Sequence, residues 1–288
     1  MVARRGEKMQ KNKSFPEDKF DSCENYITLK ESSELKNYCD FALKLSISIL
    51  TIDNLTTIER GKIVETIKDK DYSVFSPKQI YEKVKDLNFS QKSIIGGFKS
   101  FISTNDENTV IIVSRKTIIT KTIDDLKRKL SKVRDDFEIV SVVGKNKSLL
   151  KGAARDKRVD FISLDLLNNE IPLDDALCSL MKQNEKCFEI VLSPIMNSQN
   201  DKELSAILRN GKKIMKMILA NNVPFILTVN PLSPFQLRTN NQLRYIGRLI
   251  GIPFNKSRNS VFEHQLTKIV NNTIKLHEDY VFEGVREV

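Results

Sequence analysis

Tryptophan is absent from the 288 residues, aromatic side chains make up 7%, and histidine occurs only twice. So few rings argue against a platform that stacks successive single-stranded bases. A barrel metallohydrolase needs several His and carboxylate ligands converging on one rim, and the two histidines do not suit it. His264 and His277 both fall in the C-terminal segment, where they read as surface or interface groups. Cysteine is scarce too: Cys23, Cys39, Cys178 and Cys187 form no CxxC pair and no zinc-type spacing. With no signal-peptide pattern ahead of them, they read as reduced core thiols of a cytoplasmic protein. No apolar run is long enough for a membrane span; even Phe41 to Ile52 is interrupted by Lys44, Ser46, Ser48 and Thr51. A GxSxG elbow is missing, and Gly96-Gly97 lacks the Lys-Ser/Thr of a phosphate loop, so it reads as a turn.

The most telling absence is local. Between Leu204 and Phe262 there is no Asp or Glu, although the whole chain holds 37 of them and a window of this length would carry roughly seven or eight. The same window holds Arg209, Lys212, Lys213, Lys216, Arg238, Arg244, Arg248, Lys256 and Arg258. A surface without carboxylates supports neither carboxylate acid/base chemistry nor a hard divalent metal, but it suits a polyanion. The net charge of +10 agrees, and nucleic acid is the commonest acidic partner.

Residues 1–36 mix charged and polar groups without periodicity and read as a flexible tail. Arg4, Arg5, Lys8, Lys11 and Lys13 make its tip basic, which fits either an RNA-touching arm or a merely solvated extension. Over residues 37–288, short β-branched runs alternate with helical patterns, as in βα units on a parallel sheet. Strands are expected at 38–45, 109–114, 137–143, 159–163, 187–192 and 223–228, with one or two more within 51–74. Helices are expected at 78–87, 122–134, 146–155, 172–183, 201–222, 240–250 and 259–276. That many units, unbroken by a linker, point to a single α/β domain of TIM-barrel type. In helix 201–222, Asn200 and Glu203 suggest a capping box and Asn221-Asn222-Val223-Pro224 a stop. Leu204, Ile207, Leu208, Gly211, Ile214, Met215 and Ile218 form its core stripe, which leaves Arg209, Lys212, Lys213 and Lys216 as a ridge facing a polyanion or simply solvent.

In such barrels chemistry sits on loops after the strand C-termini. Those loops offer Arg115 and Lys116; Gly144, Lys145, Asn146 and Lys147; Ser193, Pro194, Met196, Asn197 and Ser198; Asn230, Ser233 and Gln236; and a single acid, Asp165. Donors abound and catalytic groups are few, so no catalytic centre is expected from this chain alone.

The stretch Lys151-Gly152-Ala153-Ala154-Arg155-Asp156-Lys157-Arg158-Val159-Asp160-Phe161-Ile162-Ser163 resembles the barrel-shaped protein subunit of archaeal and eukaryotic ribonuclease P, protein component 3, with its Ala-rich helix end, basic turn and Arg-Val-Asp strand. Downstream, Phe188 to Asn197, Pro224-Phe225-Ile226-Leu227-Thr228, Leu237-Arg238, Leu243 and Leu249-Ile250-Gly251 continue the likeness in the expected order. It covers about Leu149 to Ile269; in the amino-terminal half only Tyr38-Cys39-Asp40-Phe41-Ala42 matches, as a first strand. Leu164 and Asp165 depart from the His, Arg or Pro that often follows the Arg-Val-Asp strand. The resemblance implies a barrel related to metal-dependent phosphoesterases without their metal ligands. It further implies a role in an archaeal-type ribonucleoprotein that removes the 5′ leader of precursor tRNA, beside a small ferredoxin-like subunit and other proteins, with magnesium serving the RNA-based reaction.

The candidate RNA contacts are Arg155, Lys157 and Arg158 in the basic turn, then Arg238, then the ridge Arg209, Lys212, Lys213 and Lys216. Lys145, Lys147, Lys256 and Arg258 come after them. Arg158 has the alternative of an ion pair with Asp156 or Asp160. Two other readings compete: a barrel phosphoesterase or hydrolase with an unrecognised site, and a protein scaffold whose charge serves solubility.

Overall fold

The computed structural model describes residues 23–56 apart from 32, together with 59, 73–75, 109–168, 170–276, 280–282 and 285–286. Among these, parallel strands run in the order β1 (Cys23–Ile27), β2 (Ile49–Asp53), β4 (Thr109–Ile119), β5 (Ile139–Val143), β6 (Phe161–Ser163), β7 (Cys187–Val191) and β8 (Phe225–Thr228). The short β3 (Ser73–Phe75) joins the start of β4, which is long enough to pair with β3, then β2, then β5. An antiparallel pair, β9 (Tyr280–Phe282) and β10 (Val285–Arg286), follows. Outside the strands lie α1 (Glu34–Lys44), α2 (Ile123–Val133), α3 (Lys147–Arg155), α4 (Asp175–Gln183), α5 (Ser193–Met196), α6 (Asp201–Ala220), α7 (Asn240–Leu249), α8 (Ser257–Val261) and α9 (Glu263–Lys275). This is a nearly closed α/β barrel. Its seam is stitched by side chains: the Glu24 carboxylate accepts from Thr228 Oγ1 and from the Val229 N–H at 3.1 Å, and Thr28 Oγ1 donates to Asn230 Oδ1 at 3.2 Å.

Most helices start where a short polar side chain can take an orphan N–H. Thr122, Asn146, Asp174 and Asn200 each accept from the backbone three residues on, and Thr239 with Gln242 forms a reciprocal capping box. Glu203 differs from expectation, because its carboxylate reaches the Gln199 N–H at 2.9 Å rather than that of Asn200. Gly251, just past α7, takes φ +88 and meets nothing within 4 Å of a built Cβ, so backbone conformation rather than space selects glycine there.

Strand alternation divides the core in two. Val140, Val142, Ile162, Phe188, Ile190, Phe225 and Leu227 face outward under the helices. Ile49, Ile111, Ile139, Phe161, Cys187 and Ile226 face inward and are capped at the N-terminal end of the barrel by Phe262, Leu266, Ile269 and Val270, from α9 and the residue before it.

Several sequence expectations need correction. Residues 38–45 are the end of a helix, not a strand: Leu35, Tyr38, Cys39 and Ala42 recur at helical spacing and are all buried. The first strands are instead β1, inside the segment expected to be a tail, and β2; the remainder of that segment up to residue 22 lies outside the described residues, as does helix 78–87. Helix 259–276 is two helices broken at Phe262, whose φ of −148 and ψ of −58 leave the α region. The other strands and helices agree to within a few residues, except that β4 runs on to Ile119.

Candidate nucleic-acid interface

Two residues beyond the inward apolar layer, to which β4 also contributes Val113, stand Thr51, Arg115, Ser141, Ser163, Glu189 and Thr228, each on the same side of its strand. All are buried. Arg115 was expected on a rim loop, but it lies within β4 and points into the barrel, because β4 continues beyond it. Its Nη1 and Nη2 meet the two Glu189 oxygens at 2.5 and 2.6 Å, with both side chains fully shielded from solvent. Ser141 Oγ donates to Glu189 Oε2 at 2.9 Å, Arg115 Nε donates to Thr117 Oγ1 at 3.0 Å, and the guanidinium lies 3.9 Å from the centroid of the Tyr26 ring. A fixed cation thus occupies the axis at the C-terminal half of the barrel. These residues do not suit a divalent metal, because the Glu189 carboxylate is already bound to a guanidinium and Asp53 Oδ1 accepts from the Thr117 N–H at 2.7 Å. Among the described residues no group of three or more His, Cys, Asp or Glu is placed to hold a metal ion.

Around the mouth several polar groups pair with one another. Asp165 accepts from the Leu167 N–H at 2.9 Å, Lys116 Nζ donates to Asn54 at 2.6 Å, and Gln236 donates to Asn197 at 2.8 Å. Near the seam, burial pushes the Glu24 carboxyl up to about 7, against the hydrogen bonds from Thr228 and nearby backbone that favour its charge.

The basic turn lies at the other end of the barrel, since residues 156–160 lead into the N-terminus of β6. Asp160 is the organiser there: one oxygen accepts from Arg134 at 2.9 Å and the Val140 N–H at 2.8 Å, the other from Asn272 of α9 at 2.9 Å. Lys186 is buried behind the turn and donates to the carbonyls of Asp156 (2.7 Å) and Val159 (2.6 Å). Burial lowers its pKa to about 8. Arg158 takes the alternative partner, with a two-point contact to Asp156 at 2.9 and 2.8 Å. Arg155 and Lys157 are exposed.

The other candidates divide similarly. Lys147 pairs with Asp174, Lys145 is exposed, and Arg238 spends one nitrogen on the carbonyls of Phe235 and Leu237 at 2.9 and 2.8 Å. Arg209, Lys212, Lys213 and Lys216 are all exposed on α6, with no ion pair among the described residues. Ile250, just past α7, lies against Gly211 of α6, where a Cβ would stand 2.5 Å from its Cγ2. The acid-free window therefore folds into adjoining pieces of one wall: α6, β8, α7 and α8. His277 lies outside the described residues, and His264 is half-buried beside Glu263, with its pKa lowered by burial.

Comparison with known proteins decides the lineage. The model of the family described as RNase P subunit p30 matches residues 37–277. The chain belongs to the RNase P subunit p30 family. Ribonuclease P protein component 3 of Archaeoglobus fulgidus is 30% identical over 135 residues, a match spanning 47% of this chain and 65% of that relative, so just under two thirds of the relative's length is covered. A chain in a structure of archaeal ribonuclease P with mature tRNA superposes with a TM-score of 0.61 at 17% identity, covering 92% of this chain and 97% of the other. An Xaa-Pro dipeptidase reaches a TM-score of 0.53 at 12% identity over 87% of this chain and 76% of its own. At such identities these two establish the barrel fold. Within the p30-family frame, the Arg-Val-Asp segment acquires a structural reason: its aspartate locks β5, β6, α2 and α9 together.

Sequence reasoning misplaced Arg115 on the rim and missed Glu189, Glu24 and Lys186. One signal for the first two was present: a polar residue stands two positions after an inward apolar one in successive strands.

Proposed function

We propose that this chain is a protein subunit of ribonuclease P that binds the RNA of the complex and supports removal of the 5′ leader from precursor tRNA. The observation that carries this reading is the p30-family match across 37–277, to which the acid-free basic wall gives a physical role. Lys and Arg displace counterions condensed on a phosphate backbone and fix the docked geometry, while the chemistry belongs to the RNA and its magnesium. The sealed Arg115–Glu189 axis accords with a barrel that acts as a scaffold. The exposed α6 ridge, with Arg155 and Lys157, forms the phosphate-facing surface, and further protein subunits, including a small ferredoxin-like one, complete the particle in the cytoplasm.

Charge reversal tests this. Replacing Arg209, Lys212, Lys213 and Lys216 by Glu should weaken binding of ribonuclease P RNA and flatten the dependence of log affinity on log salt by about 3 or more. The same change at Arg155 and Lys157 should act more weakly. An unaltered salt slope in both variants refutes the interface.

A further inference from the structure

We propose that the α7–α8 corner of the basic wall holds one unpaired RNA nucleotide, its base against the Tyr245 ring and its phosphate between Arg244 and Arg258. This rests on the RNA-binding reading above and gives it a specific contact. Tyr245 is 58% exposed and Leu249, one helical turn further on, is 50% exposed, so α7 presents an apolar strip to solvent on an otherwise cationic surface. Phe254 backs the strip, its ring centroid 5.2 Å from that of Tyr245. The same ring carries Arg244, whose guanidinium carbon stands 3.6 Å from the centroid.

Arg244 is built into place. Nε donates to Ser257 Oγ at 3.2 Å, Nη2 to the Phe254 carbonyl at 3.0 Å and Nη1 to Asn241 at 3.3 Å. A guanidinium has five N–H donors, so two remain for a ligand. Burial, and after it the nearby charge of Arg258, lowers the Arg244 pKa, and among the described residues neither arginine has a carboxylate partner. Two neighbouring cations, one fixed and neither neutralised, define an anion site. The ring beside them selects the anion. A duplex offers such a surface only phosphates and 2′-hydroxyls, whereas an unpaired nucleotide can place its base face on an aromatic ring and its phosphate on a guanidinium. An apolar protein partner would strip water from both arginines without compensating them. The scarcity of aromatics still excludes a multi-base platform; a single ring suffices for one base.

The test uses the full chain with fluorescein-labelled oligoadenylate and a labelled blunt RNA duplex, followed by anisotropy. Tyr245→Ala should weaken oligoadenylate about tenfold and leave the duplex within about twofold, while Tyr245→Phe retains parental affinity. Arg258→Ala should lower the single-strand salt slope by about 0.7. Equal weakening of both RNAs, or of neither, overturns the site. So does unchanged oligoadenylate binding combined with loss of a protein subunit from the reconstituted particle, which would make the corner a protein contact. If the chain binds ribonuclease P RNA while oligoadenylate ignores Tyr245, only this site falls; if it binds no RNA, the function proposed above falls with it.

Discussion

Glu189→Gln removes the carboxylate facing Arg115 while keeping the side-chain volume. Both partners are fully shielded, and the pair is held by two hydrogen bonds of 2.5 and 2.6 Å with a third from Ser141. Desolvating a guanidinium costs several kcal/mol, which a facing carboxylate at this geometry repays and an amide does not. The variant should therefore lose about 3–5 kcal/mol of stability, which for a domain of this size lowers Tm by about 10 °C. The double variant Arg115→Met/Glu189→Leu removes both charges at similar volume and should return to within about 2 kcal/mol of the parent, or exceed it. Urea denaturation followed by far-UV circular dichroism measures all three, with an unchanged slope confirming that stability rather than compactness moved. A loss below about 1 kcal/mol in Glu189→Gln, or a double variant no better than the single, would refute a pair that stabilises the barrel only as a unit.

Further expectations follow from individual residues. Glu24 titrates near 7 when folded against an ordinary value of 4.5, so the folded state holds its proton more tightly. Its contribution is full below pH 4.5 and fades as pH rises through 7, a change on the order of 3 kcal/mol; Glu24→Gln should remove most of that slope from denaturation midpoints taken between pH 5 and 8. Asn200→Ala deletes the side-chain cap of α6, a 2.9 Å bond to the Glu203 N–H, and should cost about 1 kcal/mol in the same assay. Gly251→Ala forces a side chain onto φ +88 and should cost about 1 kcal/mol, although no atom blocks the new methyl group. Lys186→Met leaves the carbonyls of Asp156 and Val159 without their donor, and hydrogen exchange at residues 156–160 should accelerate while exchange in α6 stays as it was.

The βα alternation, most strand positions and the cationic face of α6 were legible in sequence because they depend on local spacing. The six hydrophobics and one glycine of the α6 stripe leave the four cations only one side of the helix to occupy. The entry to the barrel was misread for an equally physical reason. Residues 38–45 are apolar apart from Asp40 and Lys44, a run short enough that a strand and a buried helix look alike, and the deciding residue, Leu35, lay within the supposed tail. The Arg115–Glu189 pair was hidden because its partners are 74 residues apart and each looks like a surface charge until strand register brings both inward. The ion pair of Arg158 with Asp156 was foreseen only as an alternative, since two-residue spacing permits the contact without requiring it. The Tyr245 corner could not be read at all, for its ring, its backing Phe254 and its arginines come from three successive segments that converge only when α7 and α8 pack.

The claim at the centre is that this barrel serves a specific RNA, and the most direct measurement is to purify the native protein gently and sequence the RNA that accompanies it. Strong enrichment of a single ribonuclease P RNA is the predicted result. Recovery of no RNA, or of a broad mixture in proportion to cellular abundance, would contradict it and reduce the family resemblance to shared architecture.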